Sequence, residues 1–180
     1  MKTSSSQSLH RLTEAALIAA LYAALTLVLP VASFGPVQFR FGEALTVLCV
    51  FGWPAVTGLT LGCAIANAVG VAMGANVAGV WDIFVGTAAT FLAAALGYAV
   101  RRVTVKGFPV LSALWPVLVN GVMVGGLLSV TVFGGLDGAT WALTGLQVSA
   151  GELVTAVGGG LFLYGMLEKT GISTQFFNKE

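Results

Sequence analysis

Apolar residues run along the chain in blocks, most of them close to the roughly 20 helical residues needed to cross a hydrocarbon core of about 30 Å. The first block extends from about Leu12 to Leu29, where Pro30 and the turn Phe34-Gly35-Pro36 stop it. A second, shorter block covers about Phe41 to Gly52 and meets the next one at the tight turn Trp53-Pro54. A third runs from Pro54 to about Met73, and a fourth from Asp82 to about Val100, ended by Arg101 and Arg102. The fifth spans about Val110 to Val130 and the sixth about Gln147 to Leu167. The pattern predicts an all-α membrane protein with six transmembrane helices in a compact bundle, residues 11–170, flanked by tails at 1–10 and 171–180. An even count puts both termini on one side.

Composition agrees with this pattern. Of 180 residues, 57% are hydrophobic and 8% charged, against about 25% charged in an ordinary soluble domain, and the mean hydropathy is +0.96. A cleaved secretory signal would account for one apolar block, whereas these recur almost to the C-terminus. The formal net charge of +1 gives no basic excess for nucleic acid. Lys and Arg concentrate in cytoplasmic loops of membrane proteins. With the N-terminus inside, Lys2, Arg11, Arg101, Arg102, Lys106, Lys169 and Lys179 are all cytoplasmic and only Arg40 is outside. The chain is therefore expected to be a multi-pass protein of the cell membrane with both termini cytoplasmic.

Small residues recur at helical spacing and allow close backbone approach where no hydrophobic effect drives association. Gly58, Gly62, Ala66, Gly70 and Gly74 form such a stripe on the third helix, Gly121, Gly125 and Ser129 on the fifth, and Gly151, Thr155 and Gly159 on the sixth. These read as packing seams of the bundle. On the first helix two adjacent rows, Ala15, Ala19 and Ala23 beside Ala16, Ala20 and Ala24, make a broad smooth face that suits either internal packing or a docked partner.

Against this apolar background the stretch FGPVQFRFGEALTVL, Phe34 to Leu48, carries Gln38, Arg40 and Glu43. Glu43 opens the second helix and Asp82 the fourth, Gln147 and Glu152 open the sixth, and Asn67 and Asn120 sit part way along the third and fifth. By depth these polar groups converge on the outer half, and ionisable groups inside membrane spans are costly and point to function. They predict a ligand pocket roofed by outer loops. Several have a plainer role available: Glu43 as a partner of Arg40 three residues before it, Asp82 as an N-cap, Asp137-Gly138 as a turn, and Trp81, Trp115 and Trp141 as interfacial anchors, whereas Glu152, one turn inside an apolar helix, is expensive to bury unpaired and reads as functional. His10 reads as a solvated flank. Cys49 and Cys63 are isolated thiols in apolar runs and read as packing residues, not as a disulfide or metal site.

No G-x-x-x-x-G-K-[ST] loop, His or Cys cluster, or G-x-S-x-G elbow occurs. No catalytic residue, metal or cofactor is therefore expected, and an enzyme is disfavoured. Without a nucleotide site, uphill transport would draw its energy from another subunit or an ion gradient, and the lack of an inverted repeat makes an energised partner the simpler expectation.

The stretch FGPVQFRFGEALTVL, followed by GLTLGCAIAN, WDIFVGTAATFLAAALGY and SAGELVTAVGG, resembles the QueT family, substrate-binding S components of energy-coupling factor (ECF) transporters. The Q-x-R-x-x-E run, the D-x-x-x-G-T-x-x-T run and the final G-E-L fall in family order, while Cys49 and Val50 replace an expected Leu-Pro. The resemblance implies a six-helix subunit that captures a scarce compound outside. It also implies docking, through the alanine face of the first helix, on a transmembrane coupling subunit driven by two cytoplasmic ATPases. The implied ligands are queuosine precursors, 7-deazaguanines such as preQ1, preQ0 or queuine. Alternatives are another vitamin, such as cobalamin or riboflavin, or a structural subunit. For a guanine-like edge, Glu43 or Glu152 with Gln38, Asn67 or Asn120 would supply the hydrogen bonds, and Phe39, Phe41, Trp81 or Trp141 the stacking. Candidate ligand contacts are thus Gln38, Arg40, Glu43, Asn67, Trp81, Asp82, Asn120, Trp141, Gln147 and Glu152.

Overall fold

The computed structural model describes residues 4–135 and 137–177. Helix α1, Ser4–Val28, ends where Pro30 withholds an amide, and Pro30 then opens α2, Pro30–Phe34, in the first turn where a missing N–H is harmless. An extended stretch leads to a 3-10 helix, Phe41–Phe51. Long helices follow: α3, Trp53–Ala72, α4, Trp81–Ala99, and α5, Val110–Thr131. Helix α6, Gly138–Glu152, continues through a π-helical segment, Leu153–Gly159, into α7, Gly160–Thr170, and the short α8 covers Ile172–Phe176. Among the described residues there is no strand, only an isolated bridge between Val105 and Phe108 in the α4–α5 connection.

Five helical stretches are long and apolar enough to cross a membrane: Gln7–Val28, Trp53–Ala72, Trp81–Ala99, Val110–Thr131 and Gly138–Thr170. The second expected crossing takes a different form. Its 11 residues would reach only about 16 Å as an α-helix, but the 3-10 rise of about 2 Å per residue stretches them to about 22 Å. The last stretch also differs, because its helix starts at Gly138 and not near Gln147. The Asp137 side chain accepts the Thr140 amide at 2.9 Å and caps it there, so this pair is a helix cap and not a free turn. The resulting 33-residue rod is about 50 Å long at 1.5 Å per residue.

Several described residues of the expected tails are part of the fold, and residues 1–3 and 178–180 lie outside the described residues. Residues 4–10 belong to α1. At the other end Phe177 is buried, stacked on Phe51 with ring centroids 4.5 Å apart, and His10 Nε2 hydrogen-bonds the Phe176 carbonyl at 3.1 Å. The aromatic pair Phe176–Phe177 draws this segment back onto the bundle, and His10 is part-buried there, not a solvated flank.

Glycine and alanine seams hold the helices together. The inward row of α1, Ala15, Ala19 and Ala23, is buried, and α3 meets it through Gly58 and Gly62. A Cβ on Gly58 would stand 2.6 Å from the Ala15 carbonyl, and one on Gly62 would stand 2.7 Å from Tyr22 Cβ. Gly125 of α5 lies against Gly145 of α6, whose Cα would be 2.5 Å from an added Cβ. Gly74 falls outside the α3 stripe, in the turn after the helix, with φ +69°. The outward row, Ala16, Ala20 and Ala24, is exposed, so the face open to another chain is half as broad as the two rows suggest. The packing predicts that Gly62→Ala, which forces α1 off α3, destabilises the detergent-solubilised protein by about 1–3 kcal/mol. Leu61→Ala, on the open side of the same helix, should shift the melting temperature far less in the same thermal scan.

Candidate functional site

Arg40 ends the extended stretch and caps the 3-10 helix with a β-region backbone. This conformation sends its side chain inward, where it is buried and its Nη2 meets Asp82 Oδ2 at 3.2 Å. Its guanidinium also stands 5.4 Å from the centroid of the buried Phe34 ring, and Nη1 lies 3.7 Å from Cys63 Sγ. Arg40 therefore pairs across the fold with α4 and not with Glu43 three residues on. Asp82 does not cap its helix: Val80 occupies the N-cap position without a side-chain bond, and the Asp82 carboxylate is committed to Arg40 and to Asn76, whose Nδ2 donates to Oδ2 at 2.9 Å.

Glu43, in the first turn of the 3-10 helix, is fully buried. The Tyr22 hydroxyl of α1 donates to its Oε1, and Thr90 Oγ1 of α4 lies 3.3 Å from the same oxygen and 3.2 Å from Cys63 Sγ. Asn67 Nδ2 donates to the Asp82 carbonyl at 2.7 Å and lies 3.5 Å from Cys63 Sγ. Glu152 is the last α-helical residue before the π segment and is also buried, with Asn120 Nδ2 of α5 donating to its Oε1 at 2.8 Å. The 3-10 helix packs against both α5 and the π segment that follows Glu152, so this pair closes on the same polar interior.

Glycines let the backbones carry these groups close together. A Cβ on Gly86 would overlap Asp82 Oδ1 and stand 2.8 Å from Asn67 Nδ2, and one on Gly70 would stand 2.6 Å from the Phe34 ring. One on Gly151 would run into the Gln38 carbonyl, because the extended stretch lies directly on the helix that bears Glu152.

The hydrogen bonding follows one rule. Each of the three carboxyl groups has one oxygen held by protein donors and one without a protein partner: Glu43 Oε2, Asp82 Oδ1 and Glu152 Oε2. Gln38 Nε2, Arg40 Nε and Asn67 Oδ1 are buried and unpartnered too. A buried polar group without a partner costs about 1–3 kcal/mol, and native proteins leave few of them. Six within one cluster form a set of acceptors and donors suited to a small polar molecule.

The structure thus brings Gln38, Arg40, Glu43, Asn67, Asp82, Asn120 and Glu152 into the buried interior. Gln147 is only half-buried, five residues before Glu152, although its Oε1 has no partner. The two candidate tryptophans are elsewhere. Trp81 is 66% exposed. Trp141 packs on Gly126, donates its indole N–H to the Val122 carbonyl at 3.0 Å and lines an outward apolar groove between α5 and α6. Phe39 and Phe41 are also partly exposed, and Phe34 and Tyr22 are aromatic rings at the cluster. Asp137 stays outside, where hydrogen bonds from the Thr140 side chain and amide hold its carboxyl below its ordinary range.

Five contributors escape a residue-type search: Tyr22, Phe34, Cys63, Asn76 and Thr90. Thr90 closes the D-x-x-x-G-T-x-x-T run, two helical turns beyond Asp82, and was legible there. Cys63 is more than a packing residue, since three polar side chains point at its sulfur. Among the described residues no group of three or more His, Cys, Asp or Glu is placed to hold a metal ion.

A family model described as QueT transporter matches residues 12–169. No curated protein and no solved structure matches the chain. The match reaches every long helix and takes in the whole polar cluster, and with five stretches long and apolar enough to cross a membrane it makes this chain a multi-pass membrane transport protein and not an enzyme: the chain belongs to the QueT transporter family.

Proposed function

We propose that this chain is the substrate-binding S component of an ECF-type importer for queuosine precursors, holding a 7-deazaguanine in the buried cluster. One observation carries the proposal: three buried carboxyl groups each keep an oxygen free of protein partners. A guanine-like edge offers adjacent N–H donors for such oxygens and a carbonyl for Gln38 Nε2 or Arg40 Nε, and Phe34 borders the cluster with a flat apolar face. The charge distribution supports an inward N-terminus, with the short 3-10 helix as a sixth crossing, both termini cytoplasmic and the site in the outer half. The exposed row Ala16, Ala20 and Ala24 is the surface offered to a transmembrane coupling subunit, through which two ATPases would supply the energy.

Calorimetric titration of the detergent-solubilised protein against 7-deazaguanines, guanine, riboflavin and cobalamin tests the ligand. A 7-deazaguanine should bind one per chain and in preference to the others. Preferential binding of riboflavin or cobalamin would replace the ligand, and no binding by any of them would favour a structural subunit.

Replacing one acceptor oxygen by a donor in Glu152→Gln should lower affinity at least about tenfold, roughly 1.4 kcal/mol, in a protein that still folds. Unchanged affinity with an altered ligand-free melting temperature would make Glu152 a structural group held by Asn120.

Ala20→Leu adds bulk to the exposed row of α1 without touching the seam with α3. It should abolish co-purification with the coupling subunit and leave ligand affinity within about twofold, since close helix approach needs small side chains. Normal co-purification yield would move the docking surface elsewhere.

A further inference from the structure

The connection from α4 to α5 is a small hairpin. Val105 and Phe108 exchange both backbone hydrogen bonds, at 2.8 and 3.0 Å, around Lys106 with φ +51° and Gly107 with φ +84°. Positive φ at both central positions is the type I′ pattern, which asparagine and glycine usually supply. A lysine in that conformation is uncommon. Here Lys106 borders a groove of about 520 Å³ between the hairpin and α7, lined by Val105, Lys106, Phe108, Val110, Leu161 and Phe162. Every lining residue except Lys106 is apolar, and Val105, Phe108 and Phe162 are exposed. The hairpin is fixed against α7: the Phe108 ring stands 3.3 Å from where a Cβ on Gly165 would lie, and 6.1 Å from the Tyr164 ring.

Positive charge gathers around this groove. Arg102, Lys106 and Lys169 are exposed and have no carboxylate partner among the described residues. Arg101 is differently employed, stacked on the Tyr98 ring at 3.8 Å and donating to its carbonyl at 3.0 Å. On α7, Phe162, Met166 and Lys169 follow the i, i+4, i+7 spacing of one helix face and are all exposed, so the apolar wall ends in a second cation. Glu168 lies about 120° round the helix from Phe162, off that face. With the N-terminus inside, as proposed above, α4 ends and α5 begins at the cytoplasmic surface, which puts these cations at headgroup depth.

The two halves of the site make different demands. A purely apolar helix would cover the walls and leave the cations without a counter-charge, and a soluble anion would answer the cations and leave the walls bare. An anionic lipid meets both, since the cytoplasmic leaflet carries negative headgroups and lysine lays its methylenes along apolar surface while its ammonium reaches a phosphate. No residue of α1, the helix offered to the coupling subunit, lines the groove.

We propose that the groove between the α4–α5 hairpin and α7 holds an anionic phospholipid of the inner leaflet, its acyl chain against Phe108 and Phe162 and its phosphate on Lys106. Arg102 and Lys169 strengthen the positive field around that headgroup. The site is separate from the buried cluster and does not depend on which compound the cluster holds.

The test titrates the delipidated full chain in detergent with dioleoyl phosphatidylglycerol or dioleoyl phosphatidylcholine, reading bound lipid by native mass spectrometry and stability by thermal unfolding. Phosphatidylglycerol should bind one per chain, at least about fivefold more tightly than phosphatidylcholine, and raise the melting temperature. Lys106→Asn removes the charge but keeps a residue that tolerates positive φ, so it should bring the ratio towards one and leave the lipid-free melting temperature unchanged. Phe162→Ala should weaken both lipids. Equal binding of the two lipids, or a preference that both folded variants leave intact, would overturn the site. Glycerol phosphate reproducing the thermal shift would make it a plain anion site and overturn the lipid. A dimer that Phe162→Ala splits would give the groove to a second copy instead. Unchanged lipid binding in Phe162→Ala with loss of co-purifying coupling subunit would give it to that subunit.

Discussion

Arg40 and Asp82 meet at 3.2 Å, both of them buried, in a molecule whose outer surface is apolar. Desolvating two such charges costs several kcal/mol per ion, and removing one partner from a buried pair costs about 3–5 kcal/mol. The surrounding architecture is what allows the pair to persist. The extended stretch before the 3-10 helix delivers Arg40, the start of α4 delivers Asp82, and Asn76 and Asn67 tie the α3–α4 connection to that same point. The stretch at Arg40 and the consecutive run of α3, its connection and the start of α4 are pinned at one place inside the bundle.

Glycine makes this convergence sterically possible. Gly70 admits the Phe34 ring, Gly86 makes room for Asp82 and Asn67, and Gly151 lets the backbone at Gln38 lie on α6. The glycines at Gly58 and Gly62 bring α1 against α3, which puts Tyr22 within reach of Glu43. Helix α1 therefore looks two ways. Its inner side supplies a hydroxyl to the cluster, and its outer row Ala16, Ala20 and Ala24 stays uncovered.

Much of this was legible in the sequence, because the signals are local. Apolar blocks bounded by proline and charge located four long helices to within a residue or two at most of their ends, and polar residues isolated in those blocks marked most of the cluster. What escaped depends on tertiary partners. Asp82 reads equally well as a helix cap until Arg40 is seen beside it. Glu43 reads as a neighbour of Arg40 until the backbone turns them to different partners. Tyr22, among alanines, carries no sign that its hydroxyl meets a carboxylate 21 residues away. Tryptophan misled for the opposite reason: Trp81 and Trp141 have the chemistry to stack on a ligand, but they face outward, and the buried Phe34 holds the inner position. The start of the last long helix was misplaced because Asp137-Gly138 fits a turn as well as a cap.

Under the proposed function, the partnerless oxygens of Glu43 and Glu152 are kept for a ligand at the expense of stability. The decisive measurement is thermal unfolding of the Glu43→Gln/Glu152→Gln double variant with and without the 7-deazaguanine that binds the unmodified protein most tightly. Removing two buried carboxyls whose second oxygens lack a partner should leave the ligand-free melting temperature equal to or above that of the unmodified protein. The stabilisation by ligand, worth about 2.7 kcal/mol at a hundredfold excess over Kd, should disappear. A double variant that melts lower without ligand yet keeps the full ligand-induced rise would contradict the claim and make the two carboxyls structural.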